Sequence, residues 1–128
     1  MYIPHLLRER AIVTNNPAVA AKYPVESCYI KGNVLDVFTT VRDAVHKGAQ
    51  ILTHPLSGSI KPNESPYESI VITVATGKLD FKSLNLIEDA ISMLSRLPVK
   101  NYSYDESVLE DFRIIDLDLI KQGFEPIL

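Results

Sequence analysis

Residues Leu52 to Ile70 read "LTHPLSGSIKPNESPYESI" and place His54, Ser57, Ser59, Lys61, Asn63 and Glu64 in one connection. Pro55, Pro62, Pro66 and Gly58 punctuate it, so few of its backbone torsions are free. An imidazole, two hydroxyls, an ammonium, an amide and a carboxylate at this density suit a ligand-facing loop. An acid/base role for His54, assisted by Ser57 or Lys61, would make acyl or phosphoryl transfer the alternative chemistry. Two further stretches carry similar groups: "TNNP" (Thr14, Asn15, Asn16, Pro17) and "ATGK", which ends in Thr76, Gly77 and Lys78.

Each residue also has an ordinary structural use. Asn15 and Asn16 suit turns and helix caps. His54 suits a bond to nearby backbone, Ser57, Gly58 and Ser59 suit a simple turn, and Lys61 and Lys78 suit solvent. Specific signatures are missing. There is no G-x-G-x-x-G, no G-x-x-x-x-G-K-[ST] and no G-x-S-x-G. His5, His46 and His54 lack metal-ligand spacing, so neither a metal nor a cofactor is expected. Cys28, the one cysteine, lies in an apolar run and reads as inert core.

Elements must position these groups. "AIVT" (11–14) and "SCYI" (27–30) read as strands, with Asn16 capping a short helix that starts at Pro17. Val34, Val37, Phe38, Val41 and Val45 recur at helical spacing behind Asn33, and Gly48 stops that helix. "QILT" (50–53) and "SIVITVAT" (69–76) are two more strands. Phe81, Leu84, Ile87, Ile91 and Leu94 form a stripe behind Asp80.

From Ser103 a capping-box spacing to Glu106 opens a final segment with a stripe of Leu109, Phe112, Ile115 and Leu119. Part of it, "RIIDLDLI", also alternates like a strand. Asp105, Glu106, Glu110, Asp111, Asp116 and Asp118 read as its solvated face. The expected fold is α/β: a small three-layer Rossmann-like sandwich, with a mostly parallel sheet of about four strands and a C-terminal helix. The core spans residues 11–98 of a single domain, and 99–128 form a helical extension suited to homodimerisation or to an oligomeric scaffold role. In a parallel sheet, "TNNP", the long loop and "ATGK" would all reach the carboxyl edge, where the first helix would add N–H groups favouring a small anion.

With 128 residues, 46% apolar content and a net charge of −3, the chain reads as a globular protein without a nucleic-acid partner. No apolar run approaches the roughly 20 residues that span a bilayer, and no signal peptide is evident, so a cytoplasmic location is expected.

Through "IVTNNPAV" (12–19) and "ILTHPLSGSIKPNESPYESI" (51–70) the chain resembles the GrdX family. These are small accessory proteins encoded with the glycine, sarcosine and betaine reductases of amino-acid-fermenting anaerobes. The resemblance implies a reductase subunit as partner and transfers no catalytic role.

Overall fold

A computed structural model describes residues 10–56, 61–75, 77–98 and 104–125. Strand β1 (Arg10–Thr14) leads into helix α1 (Pro17–Lys22), then strand β2 (Ser27–Tyr29) and helix α2 (Val34–His46). Strand β3 (Ser69–Thr73), helix α3 (Phe81–Arg96) and helix α4 (Glu106–Phe124) follow.

The helix starts follow from short polar side chains. The Asn16 carboxamide accepts the Ala18 amide and Pro17 stands at the first turn of α1. Asn33 and Asp36 form a reciprocal capping box on α2. Asp80 caps α3 through the Ser83 amide. Helix α4 is capped by Asp105, which accepts from Val108 N at 3.0 Å, rather than from the predicted Ser103/Glu106 pair. Ser103 lies outside the described residues. The bond from the Ser107 hydroxyl, and after it that from Val108 N, favour the charged form of Asp105 and lower its pKa. The segment left open between helix and strand is helix throughout.

The sheet departs from expectation in order and direction. It has three strands in the order β2-β1-β3, and while β1 and β2 are parallel, β3 runs antiparallel to β1. The segment 50–53 makes a single antiparallel bridge, Ile51 to Ile72, on the far side of β3. Side chains end that ladder. Val71 N donates to Thr53 Oγ1, Gln50 N to Thr73 Oγ1, and Ile51 N to Ser83 Oγ, each within 2.9 Å. Adjacent antiparallel segments need no crossover helix, and the described parts of the connection, 54–56 and 61–68, contain none. The four-stranded, mostly parallel Rossmann-like sheet is therefore corrected to a small mixed sheet.

Alternation along the strands feeds two cores. Val13, Ile70 and Ile72 join Val37, Phe38, Val41 and Val45 of α2 and Ile87 and Ala90 of α3. On the other face, Ile12 and Val71 meet Val19 and Tyr23 from the α1 side and Ile120 and Phe124 of α4. Helix α4 is thus the cover of one sheet face, not an appendage. Its buried stripe, Asp116, Ile120 and Phe124, is rotated from the predicted one, leaving Ile115 42% and Leu119 38% exposed. Cys28 is exposed, a correction to the core reading, because β2 is a short edge strand.

Close approach of α4 to the sheet depends on Gly123. A Cβ there would stand 2.6 Å from Thr53 Cγ2, and Thr53 is held by its hydroxyl to Val71 N. Alanine favours helices over glycine by about 1 kcal/mol, yet Gly123→Ala is expected to lower the melting temperature because Thr53 must break that bond to yield. Thermal unfolding followed by circular dichroism checks the sign.

Candidate functional site

The antiparallel register decides which predicted residues meet. Thr14 stands opposite Ser69 and Arg10 opposite Thr73, so the end of β1 lies beside the start of β3. "TNNP" and the end of the long loop therefore share one edge. "ATGK" leaves β3 at the opposite edge, where Gly77 N donates to Lys47 O, and Lys78 is exposed there. Lys78 is thus separated from the other candidates. Ser57, Gly58, Ser59 and Thr76 lie outside the described residues.

At the shared edge the two asparagines have no free amide donors. Asn15 Nδ2 donates to Gly32 O and Pro66 O, and Asn15 Oδ1 accepts from Glu68 N, all at 2.8–3.0 Å. It thereby fixes the loop's return to β3 and the turn after β2. Asn16 Nδ2 donates to Arg113 O at 2.9 Å and Asp116 Oδ2 at 3.0 Å, joining α4 to the end of β1. Both asparagines are positioning residues.

Thr14 completes this network. Ser69 Oγ donates to Asp116 Oδ2 at 2.7 Å, so the 2.7 Å contact between Thr14 Oγ1 and Ser69 Oγ has Thr14 as donor. Thr14 Oγ1 in turn accepts from Asn16 N at 2.9 Å. Two donors thus converge on one oxygen of Asp116, and Oδ1 has no hydrogen-bond partner among the described residues.

Above this network lies a cleft of about 250 Å³. Thr53, His54, Lys61 and Pro62 form one side, and Tyr67, Glu68 and Ser69 another. Phe112, Ile115, Asp116, Leu119 and Gly123 contribute the α4 wall. His54 Nδ1 accepts from Leu56 N at 3.0 Å, which leaves Nε2 as the ring nitrogen able to carry a proton outward. Lys61 is exposed. Asn63 and Glu64 face other work: Asn63 Nδ2 donates to Pro98 O at 3.1 Å, and Glu64 O accepts the Tyr104 hydroxyl at 2.8 Å.

The strongest chemistry comes from two residues the sequence reading did not select. Burial raises the Glu68 carboxyl well above the usual carboxylate range, and the charge of Asp116 adds to the rise. Burial also raises Asp116, against the opposing bonds from Asn16 and Ser69. Asp116 was assigned to the solvated face of its helix and is in fact 9% exposed. Arg113, one turn earlier, is engaged with Tyr67 Oη and in an ion pair with Glu106, and does not neutralise the pair. Among the described residues no group of three metal-binding side chains converges.

Raised carboxyl pKa values make the folded state bind protons more tightly than the unfolded chain. Their contribution to stability falls as pH rises from the ordinary carboxylate range through the raised values. Melting temperatures at pH 5 and pH 8 should therefore differ less for Glu68→Gln than for the parent chain, and equal differences would remove Glu68 as a source of the slope.

A small mixed α/β unit with a polar network beneath a two-carboxylate cleft is what the fold and site define. The chain belongs to the GrdX-like protein family, whose model matches residues 11–125. No match was found among curated proteins or solved structures. Among the described residues no helix is long and apolar enough to cross a membrane.

Proposed function

We propose that this chain is an accessory protein of a glycine, sarcosine or betaine reductase system, and that it holds a small ligand in the cleft between the long loop, β3 and α4. The accessory role rests on family membership. The observation that carries the site is the convergence of the loop residues His54 and Lys61 with the buried Asp116 network around one cavity. A mostly apolar cavity with a few directed polar groups is the usual form of a small-molecule site.

Titration calorimetry with glycine, sarcosine, betaine and acetyl phosphate tests this reading. Ile115→Trp should fill the cleft and abolish the heat of whichever compound binds, while a half-exposed position lets the fold tolerate it. Absence of binding by all four, together with failure to retain a reductase subunit on the immobilised chain, would refute the proposal.

The same convergence favours a second reading, an enzyme of acyl or phosphoryl transfer in which His54 Nε2 moves a proton and Lys61 steadies an anion. Turnover of acetyl phosphate lost in both His54→Ala and Lys61→Ala would favour it over simple binding, and turnover unchanged in both would exclude it.

A further inference from the structure

The sequence pattern favours an anion at this edge, whereas the groups that face the cleft favour the opposite charge. We infer that the cleft takes a small protonated primary or secondary amine, whose N–H groups bind the Glu68 and Asp116 carboxylates. The inference rests on the cleft being a ligand site and adds the chemical class of that ligand.

Asp116 is nine-tenths buried, yet only its Oδ2 is used internally, by Asn16 and Ser69. Its other oxygen accepts nothing among the described residues, while the residue lines the cleft. With Oδ2 already accepting two bonds, Oδ1 is the oxygen left to take a charge-assisted bond from a donor in the cavity. Glu68 enters the same cavity from β3's leading end, and two carboxylates sharing a site attract a cation or a proton. An anion would have to approach both.

The chain's own cations do not occupy this position. Neither Lys61 nor Arg113 forms an ion pair with Glu68 or Asp116 among the described residues; Arg113 pairs with Glu106 instead. His54 and Tyr67 are the other titratable side chains lining the cleft; His54 Nδ1 is already an acceptor for Leu56 N, and Tyr67 Oη accepts from Arg113 Nη1. The N-terminus of α1 is capped internally by the Asn16 side chain, which accepts from Ala18 N. Phe112, Ile115 and Leu119 give the α4 side an apolar surface for the carbon part of an amine. A volume of about 250 Å³ has room for a small amine of roughly ten heavy atoms.

Binding should compete with protons. A proton taken up by Asp116 must sit on Oδ1, because Oδ2 already accepts two bonds. An ammonium group would displace it, so affinity should rise with pH by up to about tenfold per pH unit below the pair's apparent titration point. Protons should be released on binding.

The test is titration calorimetry of the full chain with methylammonium, tetramethylammonium and acetate at pH 6 and pH 8, in two buffers of different ionisation enthalpy. The inference expects methylammonium to bind more tightly at pH 8, with proton release and with affinity reduced about tenfold or more in Glu68→Gln and Asp116→Asn. Both variants are near isosteres, and the pH response of the parent chain reports independently if either fails to fold. Tetramethylammonium, which lacks N–H donors, should bind weakly. Equal binding of both cations would overturn the N–H assignment. Acetate binding lost in Ile115→Trp, with no amine bound, would overturn this inference and leave the cleft as a site. No binding by any probe here, and none in the panel above, would overturn both.

Discussion

Asn16→Ala is expected to lower the folding free energy by about 2–4 kcal/mol, combining a lost helix cap with unpaired buried polar groups. The side chain is fully buried and its three bonds reach three places: Ala18 N, Arg113 O and the Asp116 carboxylate. Alanine supplies none of them, and water has little access to replace them. For a chain of this size the loss corresponds to roughly 10 °C in melting temperature. Asn16→Asp separates the parts. It keeps the acceptor for Ala18 N but removes both donors and sets a second carboxylate against Asp116. Its deficit should therefore be largest at neutral pH and shrink on acidification, whereas that of Asn16→Ala should vary less. A change below about 2 °C for Asn16→Ala would show that the network contributes little.

This residue also shows what was legible in the sequence. Capping is local chemistry, so Asn16, Asn33 and Asp80 were readable as helix starts from the residues beside them. Of the polar groups in the long loop, His54 and Lys61 line one cleft, a convergence that their closeness in sequence made readable. Strand direction is not local. Apolar runs such as 50–53 and 69–73 fit parallel and antiparallel pairing equally, and only the register to β1 separates them. That single fact moves Lys78 to the opposite edge of the sheet.

The carboxylates were missed for a related reason. Glu68 sits beside a strand start without any motif. Asp116 sits among five other acidic residues of the last helical segment that are exposed. The available signal was its spacing of four and eight residues from Ile120 and Phe124, which puts an acid on the buried stripe. An acid at such a position needs partners, and Thr14, Asn16 and Ser69 provide them.

Phe124→Ala should have the larger effect, a loss of about 3–5 kcal/mol, because a fully enclosed aromatic ring is replaced by a cavity. Phe124 is 2% exposed, with its ring centroid 5.1 Å from that of Tyr23 in an edge-on contact. The Arg10 guanidinium stacks 5.1 Å from the same centroid, and none of its three nitrogens has a hydrogen-bond partner among the described residues. Removing the ring therefore also strips a buried cation of its main compensating contact. Since α4 carries Asp116 as well as Phe124, loosening its C-terminal turn should weaken the cleft, so any ligand affinity should fall with stability. Ile114 supplies the contrast. It is 55% exposed on the outer side of α4, and Ile114→Arg should leave the melting temperature within about 1 °C. Were the helix an oligomerising extension, the pattern would reverse: Ile114→Arg would dissociate the assembly in light scattering while Phe124→Ala left the rest of the domain folded. Deleting residues 104–128 would not separate these cases, because it uncovers Ile12, Val19 and Val71 together and unfolds the sheet it was meant to spare.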